Sequence, residues 1–383
     1  MARNYTSATL YFFDFGSVLR SSLERMKRVA IACGGTGGHL CPGIAIAEEL
    51  KENGIDPVLV ISRKPIDKVI AARYDQFEYF VTRALPFSKK PGKFLLFIWS
   101  QLISACSCVK FLWKKDIDCV VGTGGFTNLA LVASAFLMRK KIVLHESNQV
   151  IGKSIKVLAT FADVIFLPSG VSFSKNSLQK KVIHASVPLR SEIKKVPKAK
   201  ARAKIGIPSD AKLITILGGS QGANSLNTWA LNNLDKLNRA GVSVCCVCGP
   251  KNFMKFRKLY IRGDLKNLFL PFCDNMSELL CSTDLLVCRA GAGTIAEAMK
   301  LGVPMILVPY PYAAENHQEF NANYARNLGC AAIVRESEID KLTDKVLEIF
   351  KSYFLGFAKK RYYRNSNKAI VDIIKKLIGI KNA

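Results

Sequence analysis

Apolar residues in this chain fall into short continuous runs, not a strict alternation, and most runs end in glycine or small polar residues. Val29 to Cys33 is the first such run, followed at once by Gly34, Gly35, Gly37 and Gly38, and then by Pro42. An apolar run of that length predicts a strand buried on both faces of a parallel sheet. Pro42 suits the first turn of a helix, which the pattern carries to Asn53 with Gly54 as its left-handed terminator. Pro57 to Ser62, Asp118 to Val121 and Lys141 to Leu144 repeat the strand signal, the last two ending in Gly122-Thr-Gly-Gly-Phe126 and His145-Glu-Ser-Asn148. Four glycines in five positions after the first strand exceed what a turn needs; they let other groups approach the backbone and leave N–H groups free at a helix start.

From Val187 to Lys204 the pattern breaks into prolines and bases, which reads as an interdomain linker. It then restarts. Leu213 to Leu217 leads into Gly218-Gly-Ser-Gln-Gly-Ala223, Val242 to Cys248 is a further buried strand, and Leu285 to Cys288 leads into Arg289-Ala-Gly-Ala-Gly-Thr294. Met305 to Val308 precedes the loop Tyr310 to Gln318, and Ile370, Ile373, Ile374, Leu377 and Ile378 predict an amphipathic closing helix. The fold class is therefore α/β, in two halves whose glycine loops sit at the carboxyl ends of strands, the edge where open sheets bind ligands.

A length of 383 residues agrees with two domains, and 49% hydrophobic against 22% charged residues is enough to build sizeable cores. The 12 cysteines have no framework spacing and several lie inside apolar runs, as buried reduced thiols of a cytosolic protein do. Cys245 and Cys248 form a C-x-x-C with no second pair, so neither metal nor redox use is expected. The formal charge of +27 favours a polyphosphate substrate or an anionic lipid surface; no aromatic-rich RNA signature or zinc-finger spacing supports nucleic acid. Residues 1–25 carry Asp14, Arg20, Glu24 and Arg25 and do not read as a signal peptide; an unstructured extension, or a start at Met26, is expected.

Several motifs are set aside. Gly291-x-Gly-x-x-Ala296 formally fits a dinucleotide fingerprint, yet Val308-Pro-Tyr-Pro311 lacks the acid that should end the next strand. There is no G-x-x-x-x-G-K-[ST] loop, and His145-Glu146 lacks the second histidine of a zinc protease helix. Asp116-Ile-Asp118 lies before its strand, on the side away from the loops. No metal and no cofactor is implied.

Taken in order, Gly34-Gly-Thr-Gly-Gly-His39 with Pro42-Gly43, His145-Glu-x-Asn148, Gly218-Gly-Ser-Gln-Gly-Ala223 and Arg289-Ala-Gly-Ala292 resemble the MurG family. These are N-acetylglucosaminyltransferases that convert lipid I to lipid II in bacterial peptidoglycan synthesis. The resemblance runs from Met26 to the end of the chain. It implies a GT-B fold of two Rossmann-like domains facing a cleft: an acceptor domain over 26–188, a UDP-GlcNAc domain over 189–357, and a final helix at about 358–383 that packs back on the first. It implies cell-wall synthesis and division proteins as partners, and a peripheral position on the cytoplasmic side of the membrane.

By the same resemblance, Glu297 holds the uridine ribose, Ser220, Gln221, Ala292, Gly293 and Thr294 hold the diphosphate, Arg190 lies near the uracil, and Cys273 belongs to the donor site. Asn148, His317, Gln318 and Asn321 meet the sugar, and Thr36, Gly37, Gly38 and Arg289 complete the donor set. Inversion at the anomeric carbon needs one general base; His39 is the first candidate and Glu146 the second. Three positions depart from the family pattern: Phe126 for a tyrosine, Ile155 for an asparagine, and Val187 within the junction motif. A related transferase with another lipid acceptor, or a non-catalytic lipid or polyanion binder, are the competing readings.

The longest apolar stretch, Phe94 to Trp113, carries one charge and is flanked by Lys89, Lys90, Lys93, Lys114 and Lys115. Twenty residues suffice to span a bilayer. Its serines and Gln101, and the strand that follows, favour a helix lying on the domain, with Lys89, Lys90, Lys93, Phe94, Phe97 and Trp99 meeting an anionic lipid surface.

Overall fold

The computed structural model describes residues 25–88, 90–219, 221–250, 252–254, 267–352 and 363–380. The sequence readings on residues 1–24, Lys89 and Ser220 lie outside them.

The first domain runs β1 (Arg28–Ala32), α1 (Gly37–Glu52), β2 (Asp56–Ile61), α2 (Pro65–Ala71), β3 (Glu78–Val81), α3 (Pro91–Lys114), β4 (Cys119–Gly122), α4 (Thr127–Leu137), β5 (Lys141–His145), α5 (Lys153–Leu158), β6 (Val164–Leu167), α6 (Asn176–Gln179) and β7 (Val182–His184). The second runs α7 (Lys198–Ile205), β8 (Lys212–Leu217), α8 (Asn224–Asn232), α9 (Leu234–Arg239), β9 (Val242–Val247), β10 (Asn267–Leu270), α10 (Met276–Ser282), β11 (Leu285–Cys288), α11 (Ala292–Leu301), β12 (Met305–Leu307), α12 (His317–Asn327), β13 (Ala331–Ile333) and α13 (Leu342–Lys351). A last helix, α14 (Asn367–Leu377), follows. Every strand pair is parallel, in the orders β3-β2-β1-β4-β5-β6-β7 and β10-β9-β8-β11-β12-β13.

Both sheets reverse their winding once, between β1 and β4 in the first and between β8 and β11 in the second. Loops leaving the carboxyl ends of such a strand pair diverge to opposite faces and open a crevice. The four glycine-bearing loops seen in the sequence are the loops after these four strands. Covering helices bury both faces of each sheet, which is why the strands read as unbroken apolar runs: β1, β4 and β8 are buried almost throughout. β3, β6, β7, β10 and β13, at or toward the sheet edges, are short strands that the apolar pattern did not mark.

α14 returns to the first domain, where Ile370, Val371 and Ile374 join the core formed by β1, α1 and β2. The junction is not a free linker. Leu189 and Asn367 exchange two hydrogen bonds at 3.2 and 2.9 Å, Ile193 is fully buried, and buried Arg202 pairs with Asp284 at 2.7 Å.

α3 is a single helix packed on the domain. Its buried face is Ser100, Ser104, Cys108, Phe111 and Leu112, with Ser134 of α4 bonding the Ala105 carbonyl and Phe111 stacked on Phe80 at 4.3 Å. Its outward stripe is Leu95, Ile98, Trp99, Leu102, Val109 and Trp113, with Leu95, Trp99 and Trp113 at 68%, 63% and 76% exposure. Over its first turns the ordinary amphipathic arrangement is inverted, with Ser100 and Ser104 facing the protein and Leu95, Ile98, Trp99 and Leu102 outward, whereas Phe111 and Leu112 restore an apolar inner face near its end.

Candidate active site in the interdomain cleft

The first-domain side of the cleft centres on His39. A one-turn offset from Thr36, whose carbonyl accepts the His39 N–H at 3.1 Å, places the ring beside the β4 loop. There Nδ1 meets the Thr123 carbonyl at 2.9 Å, and the Thr123 hydroxyl donates back to the His39 carbonyl at 2.9 Å. A carbonyl can only accept, so Nδ1 carries the proton and Nε2 presents a lone pair. Gly124 makes this seat: a Cβ there would stand 2.6 Å from His39 Cε1, and its φ of +105° is one that side chains rarely adopt. Burial pushes the imidazole below the ordinary histidine range, with Glu146 and the Thr123 carbonyl pulling the other way. The ring is neutral at pH 7.

Fully buried Asp67, which the sequence reading missed, organises the same loop. Its Oδ2 accepts from Gly35 N at 2.8 Å, Ser62 N at 2.9 Å and Ser62 Oγ at 2.6 Å. The available signal was an acid in the first turn of a helix opened by Pro65. Gly34 is packed so tightly that a Cβ would lie 2.4 Å from Ser62 N. Thr36, Gly37 and Gly38 form the rim of the loop, Thr36 and Gly38 exposed.

Glu146, the second candidate base, is bonded within its own loop. Oε1 accepts from the backbone and side-chain nitrogens of Asn148, both at 2.9 Å, and Oε2 from Gly152 N at 2.8 Å. Three N–H donors hold the carboxylate to its own loop. Asn148 in turn accepts from Asn321 at 3.1 Å, and Asn321 accepts from Gln149 N at 2.9 Å while donating to the Ala290 carbonyl at 3.0 Å. Asn148 and Asn321 thus link the two domains directly.

On the second-domain side, α11 begins at Gly291, which supplies no side-chain cap, and a Cβ on Gly293 would meet nothing within 4 Å. The N–H groups of Ala292, Gly293 and Thr294 thus face open space at the positive end of a helix. Gln221 lies exposed on the β8 loop beyond Gly219. Gln318 draws the β11 and β12 loops together, accepting from Ala290 N at 3.2 Å and Tyr310 N at 2.9 Å, which leaves its amide nitrogen for a ligand. His317 contacts the Ala314 carbonyl through Nδ1 at 2.7 Å and opens α12.

Glu297 is buried one turn into α11 and accepts from Arg190 Nη2 at 3.1 Å. Burial raises its pKa from the ordinary value and Arg190 opposes that rise. Arg190 also reaches Tyr74 Oη at 2.8 Å and Glu192 at 2.7 Å, so Glu297 is joined to the first domain. Cys273 is half-buried against the second-domain core, its thiol pushed up to about 11 by burial, and the next residue, Asp274, accepts from Arg73 through its carbonyl.

Arg289, expected in the donor set, is engaged within its own domain. Its guanidinium is committed to Glu336, Ser225 Oγ at 2.9 Å and the Val308 carbonyl at 3.1 Å, and it lies over the Tyr310 ring. These contacts tie the β11 and β12 loops together. Of the three departures, Ile155 is fully buried in the core, Phe126 lies under the Lys64 ammonium beside Gly35, and the Val187 carbonyl accepts from Tyr363 at 2.8 Å. Among the described residues no group of three or more metal-ligating side chains occurs.

Two doubly wound domains meeting at their switch points, with an oriented histidine on one side and an open helix start on the other, define a GT-B fold. Comparison with known proteins narrows this. Residues 29–167 match the glycosyltransferase family 28 N-terminal domain and residues 213–377 the glycosyltransferase family 28 C-terminal domain. A UDP-N-acetylglucosamine--N-acetylmuramyl-(pentapeptide) pyrophosphoryl-undecaprenol N-acetylglucosamine transferase from Opitutus terrae is 37% identical over 85% of this chain and 86% of its own length. Its counterpart from Carboxydothermus hydrogenoformans is 32% identical over 93% and 99%. The crystal structure of Acinetobacter baumannii MurG superposes with a TM-score of 0.68 at 21% identity, covering 92% of this chain and all of that one. A UDP-GlcNAc 2-epimerase from Neisseria meningitidis gives 0.63 at 15%, covering 92% of this chain and all of that one, so shape by itself does not select the reaction. The chain belongs to glycosyltransferase family 28 and, within it, to the MurG family.

Proposed function

We propose that this protein transfers N-acetylglucosamine from UDP-GlcNAc, with inversion, to the C4 hydroxyl of the muramoyl sugar of lipid I, forming lipid II in peptidoglycan synthesis. The observation that carries the chemistry is the His39 Nδ1 bond to the Thr123 carbonyl, which leaves Nε2 as the acceptor of the neutral ring. The acceptor C4 oxygen attacks the anomeric carbon as the bond to the UDP oxygen breaks. His39 Nε2 takes the hydroxyl proton, and the departing diphosphate gathers its charge at the N–H groups of Ala292, Gly293 and Thr294. Glu297 accepts the ribose hydroxyls once Arg190 yields part of its contact, and Gln318 and His317 meet the sugar.

The outward stripe of α3 supports a peripheral seat on the cytoplasmic face of the membrane. Leu95, Trp99 and Trp113 enter the headgroup boundary, and Lys90 and Lys93 meet lipid phosphates. Phe94 and Phe97 pack edge-to-face on Phe87 at 6.0 and 5.6 Å and stiffen the amino end of that surface. α3 is long and apolar enough to cross a bilayer, but its packed face of serines and Cys108 supports the lying orientation. Cell-wall synthesis and division proteins are the partners this position would give it.

Product analysis tests the reading directly. With UDP-GlcNAc as donor, a disaccharide product from lipid I and none from diacylglycerol is expected; the reverse would move the chain to a different lipid acceptor.

A further inference from the structure

At one mouth of the cleft a carboxylate of the second domain rests on two lysines of the first. Glu315 lies 3.2 Å from Lys153 Nζ and 3.6 Å from Lys156 Nζ, both on α5. The lysine side chains are 72% and 50% exposed, and the contact with Lys153, then its charge, holds the Glu315 carboxyl below the usual range. Glu315 and Asn316 both have left-handed backbones, at φ +53° and +52°, although neither is glycine, and His317 follows directly. Two such residues in succession are held by their surroundings and relax when those change.

We infer that Lys153 and Lys156 form the subsite for the acceptor's diphosphate, and that Glu315 occupies it in the ligand-free protein as an internal anion. The inference rests on the lipid-linked reading above. Three observations carry it. The first is charge: Lys64, on the first-domain glycine loop, already donates to the Gly35 carbonyl at 2.9 Å, whereas this pair holds only a carboxylate from across the cleft. The second is position. α5 follows the loop that Glu146 and Asn148 order, so its lysines lie close after the residues expected at the sugar. On the same helix Val157, one turn beyond Lys153, is exposed, and neighbouring Phe161 packs on Phe136 at 4.6 Å beside exposed Leu137. An apolar patch, a pair of cations and the catalytic loop thus follow one another as tail, diphosphate and sugar do in the acceptor. The third is exchangeability: an exposed ion pair is weak and easily replaced, and a diphosphate brings more charge than one carboxylate. When it replaces Glu315, residues 313–316 are released and His317 is free to settle on the donor sugar.

Geranyl diphosphate, a prenyl diphosphate without a sugar, is the probe, titrated calorimetrically with UDP saturating so that the donor phosphate contacts are filled. Relative to wild type, Lys153→Ala/Lys156→Ala should weaken binding at least tenfold, and Glu315→Gln should tighten it about threefold. The triple variant should match the lysine double variant. Unchanged UDP affinity and melting temperature establish that the variants are folded. Weaker binding by Glu315→Gln would make the contact a structural clasp and overturn the inference, as would wild-type binding by the lysine variant. In parallel turnover assays, a wild type that binds the probe as described yet does not glycosylate lipid I sinks the functional reading and leaves the subsite standing. A wild type that glycosylates lipid I, with the lysine variant unchanged in acceptor KM, sinks the subsite alone.

Discussion

The two faces of the cleft use one plan, strand then glycine loop then helix, and leave their polar groups in opposite states. On the first-domain face the polar groups answer one another: Asp67 holds Gly35 and Ser62, Thr123 holds His39, and Glu146 is saturated by Asn148 and Gly152. On the second-domain face α11 starts at Gly291 as uncapped as α1 does at Thr36, but its first turn, Ala292 to Thr294, carries no side chain tied to a neighbouring loop as His39 is tied to Thr123. The difference divides the labour. A base must present one lone pair at a fixed place, so everything around it is tied down. A phosphate site must offer donors that the protein itself does not satisfy.

Removing the base is the sharpest way to break this division. His39→Ala should lower kcat by about 10²–10⁴ and leave UDP affinity within twofold, since donor contacts lie across the cleft. Calorimetry beside steady-state kinetics checks both halves; full turnover would return the role to another group. The acid limb of kcat/KM in wild type should lie below pH 6.5, because burial depresses the His39 pKa.

The tied-down side should carry a second pH signature, in stability. Buried His145, at the end of β5, has its pKa pushed down to about 4 by burial. The folded protein resists the proton that the unfolded chain takes up near pH 6.5. Its contribution is therefore complete above that pH and is lost as pH falls toward 4, on the order of 2–3 kcal/mol. Denaturant midpoints between pH 7 and 4.5 should fall accordingly, and more steeply than in His145→Gln. Equal slopes would remove His145 from the account.

Glu297→Ala probes the open side. UDP affinity should drop by about 1.5–3 kcal/mol, the scale of a hydrogen bond to a charged group. Arg190 keeps Glu192 and Tyr74 as partners, so the change does not strand a buried cation. Unaltered affinity by calorimetry would mean that the carboxylate serves Arg190 alone.

The smallest effect is expected outside the cleft. Each lysine near an anionic surface contributes about 1 kcal/mol, screened by salt within a Debye length. Lys89, Lys90 and Lys93 changed together to Glu should reduce liposome co-sedimentation at low salt. Turnover of a short-chain soluble acceptor should be unaffected. Trp99→Ser with Trp113→Ser should reduce pelleting at high salt as well, if the outward stripe of α3 is the seat. Equal pelleting of all variants would place membrane contact elsewhere.

By itself the sequence determined what depends on neighbours in the chain. Buried parallel strands announce themselves as apolar runs, glycine loops as punctuation, and the order of Gly34 to His39, His145 to Asn148, Gly218 to Ala223 and Arg289 to Ala292 marks the family. Short strands nearer the sheet edges, such as β3 and β10, carry too little apolar length to be seen. Only the tertiary structure decided who answers whom. His39 depends on a carbonyl 84 positions away, Arg190 on a glutamate 107 away, and Asn148 on an asparagine 173 away. The partners of Glu146, the second candidate base, and of Arg289, a candidate donor residue, were hidden as well: one is bonded by Asn148 and Gly152 and the other by Glu336. Which side of α3 faces outward was equally hidden. The helix is apolar almost all round, and only packing against α4 selects its serines for the inside. A hydrogen bond needs a partner in space, and chain-local patterns do not encode the distance between strands.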